Sequence, residues 1–171
     1  MVMLEVSPMT DAPAIKPKSF TYRTSVARVE GRSADLHADG KPLLRVSSPP
    51  EFKGERGIWT PEDLFVAAVE VCLMLTFVGI AEKRGLKFAS YESRAEGLLE
   101  WKEGSYRFTR VAVSPSIVCF DEPSIPVARD ILERAHSTCL VANSVSCEVT
   151  VAPVLTLTHD DRKQLPQLTA T

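Results

Sequence analysis

The sequence predicts an α+β fold, with antiparallel strands packed around one long, buried central helix. Three observations lead there. The elements read in the order β-β-α-β-β-α-β, without the strict strand–helix alternation of a parallel sheet. From Leu64 to Ala81 the only charged residue is Glu70. The segments flanking that run alternate as half-buried strands do.

The first strands fall within residues 20–48. "FTYRTSVARVEG" and "PLLRVSS" are rich in β-branched and aromatic residues, and "HADGKP" with its Asp39-Gly40 pair separates them as a turn. A Pro- and Gly-rich loop, "SSPPEFKGERGIW", follows. The helix then starts clearly. Thr60 is the N-cap, Pro61 takes the first helical position, and Glu62 and Asp63 place negative charge in the first turn. "EKRG" ends it, with cations at the negative pole and Gly85 as C-cap. Its 18 apolar-rich residues are just long enough to raise a transmembrane reading, which Glu70 and the alternating flanks argue against. A helix apolar nearly all round is buried by a large core or by a partner chain.

Two long strands come next, "KFASYESRAEGLLEWKEG" and "SYRFTRVAVSPSIVCF", joined as a hairpin through Lys102-Glu103-Gly104. "PSIPVARDILERAHSTC" is a second helix, amphipathic, with Ile125, Ala128, Ile131, Leu132 and Ala135 on one stripe. "SVSCEVTVAPVLTL" closes the fold as a strand, with Val145, Cys147, Val149 and Val151 at period two. Residues 19–157 form one domain. Residues 1–18 and 158–171 read as tails, the first a mobile one with acids and three prolines and no signal-peptide pattern.

The chain has 171 residues, of which 44% are hydrophobic and 25% charged, a soluble globular composition. The net charge of −2 gives no bulk field to recruit nucleic acid or an anionic membrane. No phosphate-binding glycine loop is present. The expected compartment is the reducing cytoplasm, where four cysteines, Cys72, Cys119, Cys139 and Cys147, are free or redox-active rather than structural bridges.

The thiols differ in what surrounds them. Cys147 and Cys119 share strand faces with aliphatic residues and read as small buried hydrophobes. Cys72 is open to two readings, core filler or nucleophile. Its own helix dipole cannot activate it, because twelve residues past the N-cap is roughly 18 Å and the dipole fades within a turn. A reactive Cys72 needs a cation from elsewhere. Cys139 lies 67 residues further on. His136, Cys139 and Cys147 have no zinc-ligand spacing, so no metal is expected. His136 is a helix-end cation.

"TPEDLFVAAVEVC", followed by the second cysteine in "STCLVANSV", resembles the OsmC/Ohr family of osmotically inducible and organic hydroperoxide resistance proteins. The similar features are Pro, Glu, a Leu-aromatic pair, a run of small apolar residues, and a cysteine ten positions after the Glu. The element order agrees from about Phe20 to Leu157. Leu140 stands where the family often has proline. The resemblance implies an OsmC-like fold and an intertwined homodimer with the long helices in the middle. It implies a thiol-dependent peroxidase for organic hydroperoxides, with Cys72 peroxidatic and Cys139 resolving, recycled by a lipoyl or thioredoxin-like dithiol, and without metal or other cofactor. It also implies that Glu62 holds an arginine from the N-terminal hairpin against the cysteine. Arg32 is the best match for that arginine, about one residue out of register, and Arg28 and Arg45 are lesser candidates. The alternative is a dimeric binding module for a small apolar or thiol-reactive ligand, with little turnover.

Geometry adds one expectation. Ten helical residues put Glu62 and Cys72 roughly 15 Å apart along the axis and about 80° around it. They cannot meet within one helix, so a shared role needs a second subunit. Glu70 points roughly 160° away from Cys72 and either pairs with an arginine across the interface or alters the polarity of the pocket.

Overall fold

A computed structural model describes residues 18–158, so both expected tails, apart from Lys18 and Thr158, lie outside the described residues. The element order is β1 (Ser25–Arg28), β2 (Ser33–His37), β3 (Leu44–Ser47), α1 (Pro61–Arg84), β4 (Phe88–Lys102), β5 (Ser105–Cys119), α2 (Ser124–Thr138), β6 (Glu148–Val151) and β7 (Val154–Leu157). The mixed α+β architecture and the long apolar helix are as the sequence implies.

The strands differ in three ways from that reading. The N-terminal sheet has three strands, β1-β2-β3, all antiparallel. β2, "SADLH", lacks β-branched residues and forms where no strand is expected. The last strand is broken at Ala152-Pro153 into β6 and β7, and strand β6 starts only after Cys147. Proline has no N–H to continue the ladder. Finally, the larger sheet is not wholly antiparallel. β4 and β5 form an antiparallel hairpin, but β6 and β7 both run parallel to β5. The cause is α2, which carries the chain back across the sheet between β5 and β6, and a helical crossover returns a strand parallel.

The β4–β5 hairpin turns through Glu103 and Gly104, both at positive φ (51° and 84°), the pattern of a tight two-residue turn. Its strands hold α1 in place. Val69, Leu73, Phe77 and Ala81, spaced by four, are buried and pack in one core with Val111, Val113, Ile117 and the α2 stripe Ala128, Ile131, Leu132 and Ala135. Each large buried side chain of this kind contributes about 1.5–3 kcal/mol. Gly97 on β4 permits the close approach: a Cβ there would fall 2.5 Å from Val66 and 2.8 Å from Phe108.

The start of α1 is fixed by a reciprocal cap. The Asp63 N–H donates to Thr60 Oγ1 (3.1 Å), and the Thr60 N–H donates to Asp63 Oδ2 (3.0 Å). Gly85 closes the other end at φ 69°. Mean hydropathy over the best 18 residues is 2.4, enough to cross a membrane by length and composition, yet only 22% of that window is buried within the chain. Val71 and Leu75 are 46% and 60% exposed on one face. The burial expected for this helix is thus supplied only in part by its own chain.

Candidate active site

Cys72 and Cys139 come together, although 67 residues separate them. Cys72 stands at the middle of α1, half-buried, near the turn that follows α2. Cys139 follows α2 directly and is fully buried. There the backbone leaves the helix in an extended conformation (φ −64°, ψ 117°) and winds into a short helical turn over Ala142–Ser144. The Asn143 N–H donates to the Cys139 carbonyl (3.0 Å) and the Ser144 N–H to the Val141 carbonyl (2.9 Å). The N–H groups of Leu140, Val141 and Ala142 find no main-chain acceptor, as at any helix start. They face the sulfurs instead, Val141 and Leu140 toward Cys72, and Ala142 and Val141 toward Cys139.

This arrangement makes the two thiols unequal. Burial pushes Cys72 up, but the Val141 N–H, the Cys139 thiol, Thr76 and the Leu140 N–H together outweigh it, and Cys72 ends below the ordinary thiol value. The single hydroxyl proton of Thr76 is already given to the Cys72 carbonyl oxygen (2.7 Å), so the amides matter more than Thr76. Cys139 moves the other way. Burial raises it, the Ala142 N–H opposes, and its hydrogen bond to Cys72 raises it further. Cys72 is therefore the more acidic thiol of the pair. Both are free thiols, close enough that each shifts the other.

Among the described residues, no charged side chain stands among the causes that shift Cys72. Arg32 lies exposed in the β1–β2 turn, Arg28 donates to the Gly31 carbonyl (3.2 Å), and Arg45 pairs with Asp35 on the same sheet. The expected requirement for a cation is met in part by backbone amides, which residue types cannot reveal. The one sequence signal was Leu140: a non-proline residue there supplies an N–H.

Glu62 sits ten residues before Cys72 on an unbroken helix, so the two stay apart in one chain. It lines a cleft of about 1120 Å³ between the 49–60 loop, the first turns of α1 and the β4–β5 hairpin. Phe52, Trp59, Tyr106 and Phe108 supply aromatic walls. Glu62 Oε2 is buried there without a hydrogen-bond partner. Glu70 lines the same cleft and accepts from Ser93 Oγ (2.6 Å). Beside it, burial and then Glu70 push the Tyr91 hydroxyl up to about 12, and that hydroxyl also lacks a partner.

The other cysteines stand apart. Cys119, at the end of β5, is buried, and burial with the Asp121 charge raises it. Cys147 is only half-buried, beside the stacked rings of Phe65 and Phe108 (centroids 4.5 Å), less enclosed than the sequence implies.

The family model described as OsmC-like protein matches residues 54–153. The chain belongs to the OsmC-like family. An OsmC-like protein of unknown function from Vibrio cholerae superposes with a TM-score of 0.73 at 25% identity, over 80% of this chain and 100% of that one. An organic hydroperoxide resistance protein OsmC from Legionella pneumophila gives 0.64 at 22% identity, over 80% and 97%. The uncharacterized protein YmaD of Bacillus subtilis is 21% identical over 64% of this chain and 75% of its own. The matched span of this OsmC-like chain includes α1 with Cys72, the hairpin and the Cys139 turn; it begins beyond β1–β3 and so beyond Arg32.

Proposed function

We propose that this OsmC-like chain is a thiol peroxidase for organic hydroperoxides, with Cys72 peroxidatic and Cys139 resolving. The observation that carries this reading is the meeting of Cys72 and Cys139, each shifting the other's thiol, beside the free amides of residues 140–142. The Cys72 thiolate attacks the hydroperoxide oxygen away from carbon. The O–O bond breaks, the alkoxide leaves and takes a proton as an alcohol, and Cys72 becomes a sulfenic acid. The Cys139 sulfur then displaces that hydroxyl as water and forms a disulfide. An external dithiol of lipoyl or thioredoxin type, in a reducing cytoplasm, takes up the disulfide by exchange and restores both thiols.

The working unit in this reading is a homodimer. Val71 and Leu75 leave an apolar stripe on α1, and Gly79 on the same helix has no heavy atom within 4 Å of a Cβ position, so another helix can come close. β1–β3 form a sheet whose edge strand β1 is exposed along its whole length, Val26 included. A second copy covers both. It also brings an N-terminal turn with Arg32 toward the partnerless Glu62 carboxylate, and the pair completes the site at Cys72 across the interface.

The test is turnover of cumene hydroperoxide with a dithiol reductant, by the wild-type protein and by Cys72→Ser. Consumption is expected to fall to the uncatalysed rate in the variant. Equal rates would leave the second reading, a dimeric binding module, which the absence of a charged group on Cys72 among the described residues favours.

A further inference from the structure

Thr76, half-buried, follows Cys72 by four residues on α1, so the two side chains lie on one face of the helix, one above the other. A helical side chain leans back over the turn before it, which brings the Thr76 hydroxyl over Cys72. The hydroxyl donates to the Cys72 carbonyl oxygen at 2.7 Å. That carbonyl has little need of it. In the unbroken helix the Thr76 N–H already meets the same oxygen, so the hydroxyl occupies only its second lone pair. A threonine that bonds back in this way adds nothing to its helix and slightly weakens it. The same hydroxyl stands among the groups that lower the Cys72 thiol, so the sulfur is a second acceptor for it. It has one proton to give and two places to give it.

We infer that the Thr76 hydroxyl is a mobile donor that positions the reactive sulfur, resting on the Cys72 carbonyl while Cys72 is a thiol and turning onto the sulfur when Cys72 is a thiolate. The turn is the rotation of a hydroxyl about a single bond. It gives up a neutral hydrogen bond for a charge-assisted one, roughly twice as strong, and the carbonyl keeps its helical N–H throughout. When the sulfur is neutral again, as a sulfenic acid, the hydroxyl returns to the carbonyl and leaves the sulfur open to Cys139. Cys139, from the turn after α2, is the titratable group that acts on Cys72; Glu70 of α1 and Tyr91 of β4 are not among the causes that shift it. As a statement about turnover, this rests on the proposed peroxidase reading; as a statement about the thiolate, it does not.

Two measurements on the full-length chain separate the inference from that reading. Thr76→Val keeps the branched shape without the hydroxyl, Thr76→Ala is a second hydroxyl-free form that favours the helix, and Thr76→Ser keeps the hydroxyl. The first measurement is the pH midpoint for alkylation of Cys72 by iodoacetamide, read on the Cys72 peptide by mass spectrometry. Thr76→Val and Thr76→Ala are expected to raise it enough to leave about threefold less thiolate at neutral pH, because only the difference between a charged and a neutral bond is lost. Thr76→Ser is expected to stay within about 0.2 pH units of wild type. An unchanged midpoint in either hydroxyl-free chain, or a shift in Thr76→Ser as large as theirs, would overturn the inference. The second measurement is the pH profile of kcat/KM for cumene hydroperoxide with a dithiol reductant. Its acid limb is expected to move with the midpoint in Thr76→Val, and a limb that stays in place while the midpoint moves overturns the role in turnover. No turnover by wild type, with the midpoints shifted as expected, refutes the peroxidase reading and upholds Thr76 as the donor to the thiolate.

Discussion

Replacing Leu140 with proline should raise the Cys72 thiol by about one pKa unit without disturbing the fold. Proline deletes one N–H, which has no main-chain acceptor and faces the Cys72 sulfur. The site tolerates the ring. Cys139 is already extended (ψ 117°), the conformation that a following proline demands, and the Leu140 side chain is 77% exposed. A hydrogen bond to a charged group is worth about 1.5–3 kcal/mol, and the partial exposure of Cys72 points to the lower end. About 1.5 kcal/mol corresponds to roughly one pKa unit. The assay is the pH midpoint of thiolate absorbance, or of alkylation by iodoacetamide, in a background with Cys119 and Cys147 replaced by serine. A rate at a single pH is a weaker readout. The thiolate fraction drops about tenfold, but a thiolate of higher pKa is more nucleophilic, so the net loss is only roughly threefold to fourfold. Leu140→Ala keeps the N–H and should leave the midpoint alone. A midpoint that stays put or falls in Leu140→Pro would refute the amide account.

Leu75→Glu places a charge in the apolar stripe of α1 and should weaken dimerisation at least about a hundredfold, as read by analytical ultracentrifugation; a wild-type dissociation constant would exclude this face as the interface. Tyr91→Phe removes a buried hydroxyl that has no partner, so its denaturant midpoint at neutral pH should be equal to or higher than wild type, by up to about 1 kcal/mol. The sign at alkaline pH follows from the raised Tyr91 value. Folded Tyr91 holds its proton up to about 12 against 10.0 for the ordinary group, so its contribution is present in full below pH 10 and lost as pH rises toward 12. Wild type should lose stability across that window more steeply than Tyr91→Phe.

Much of this fold is legible in the side chains. The cap Thr60, Pro61 and Asp63, the apolar run and Gly85 mark α1 to the residue, because helix ends are set by local chemistry. The α2 stripe and the hairpin turn at Glu103-Gly104 are equally local. Strand direction is not. Period-two alternation in "SVSCEVTVAPVLTL" is the same whether the strand pairs parallel or antiparallel, and only the α2 crossover decides. β2 is hidden because "SADLH" is held by its two neighbours rather than by its own propensity. At the site, the cysteine pair is readable from the motif, whereas the donors on Cys72 are main-chain groups that every residue except proline carries. The cleft around Glu62 and Glu70 unites three segments distant in the chain, and no local pattern announces it.

The meeting of Cys72 and Cys139 has a mechanical consequence. A bond between them would tie the middle of α1 to the end of α2 and close a loop of 67 residues that contains the whole β4–β5 hairpin. Closing a loop of that length restricts the unfolded chain and adds about 4 kcal/mol of stability. Oxidation would then act as a brace, and the protein would resist heat and proteases best at the moment of greatest oxidant load. Its lifetime in the cell would record the redox state around it.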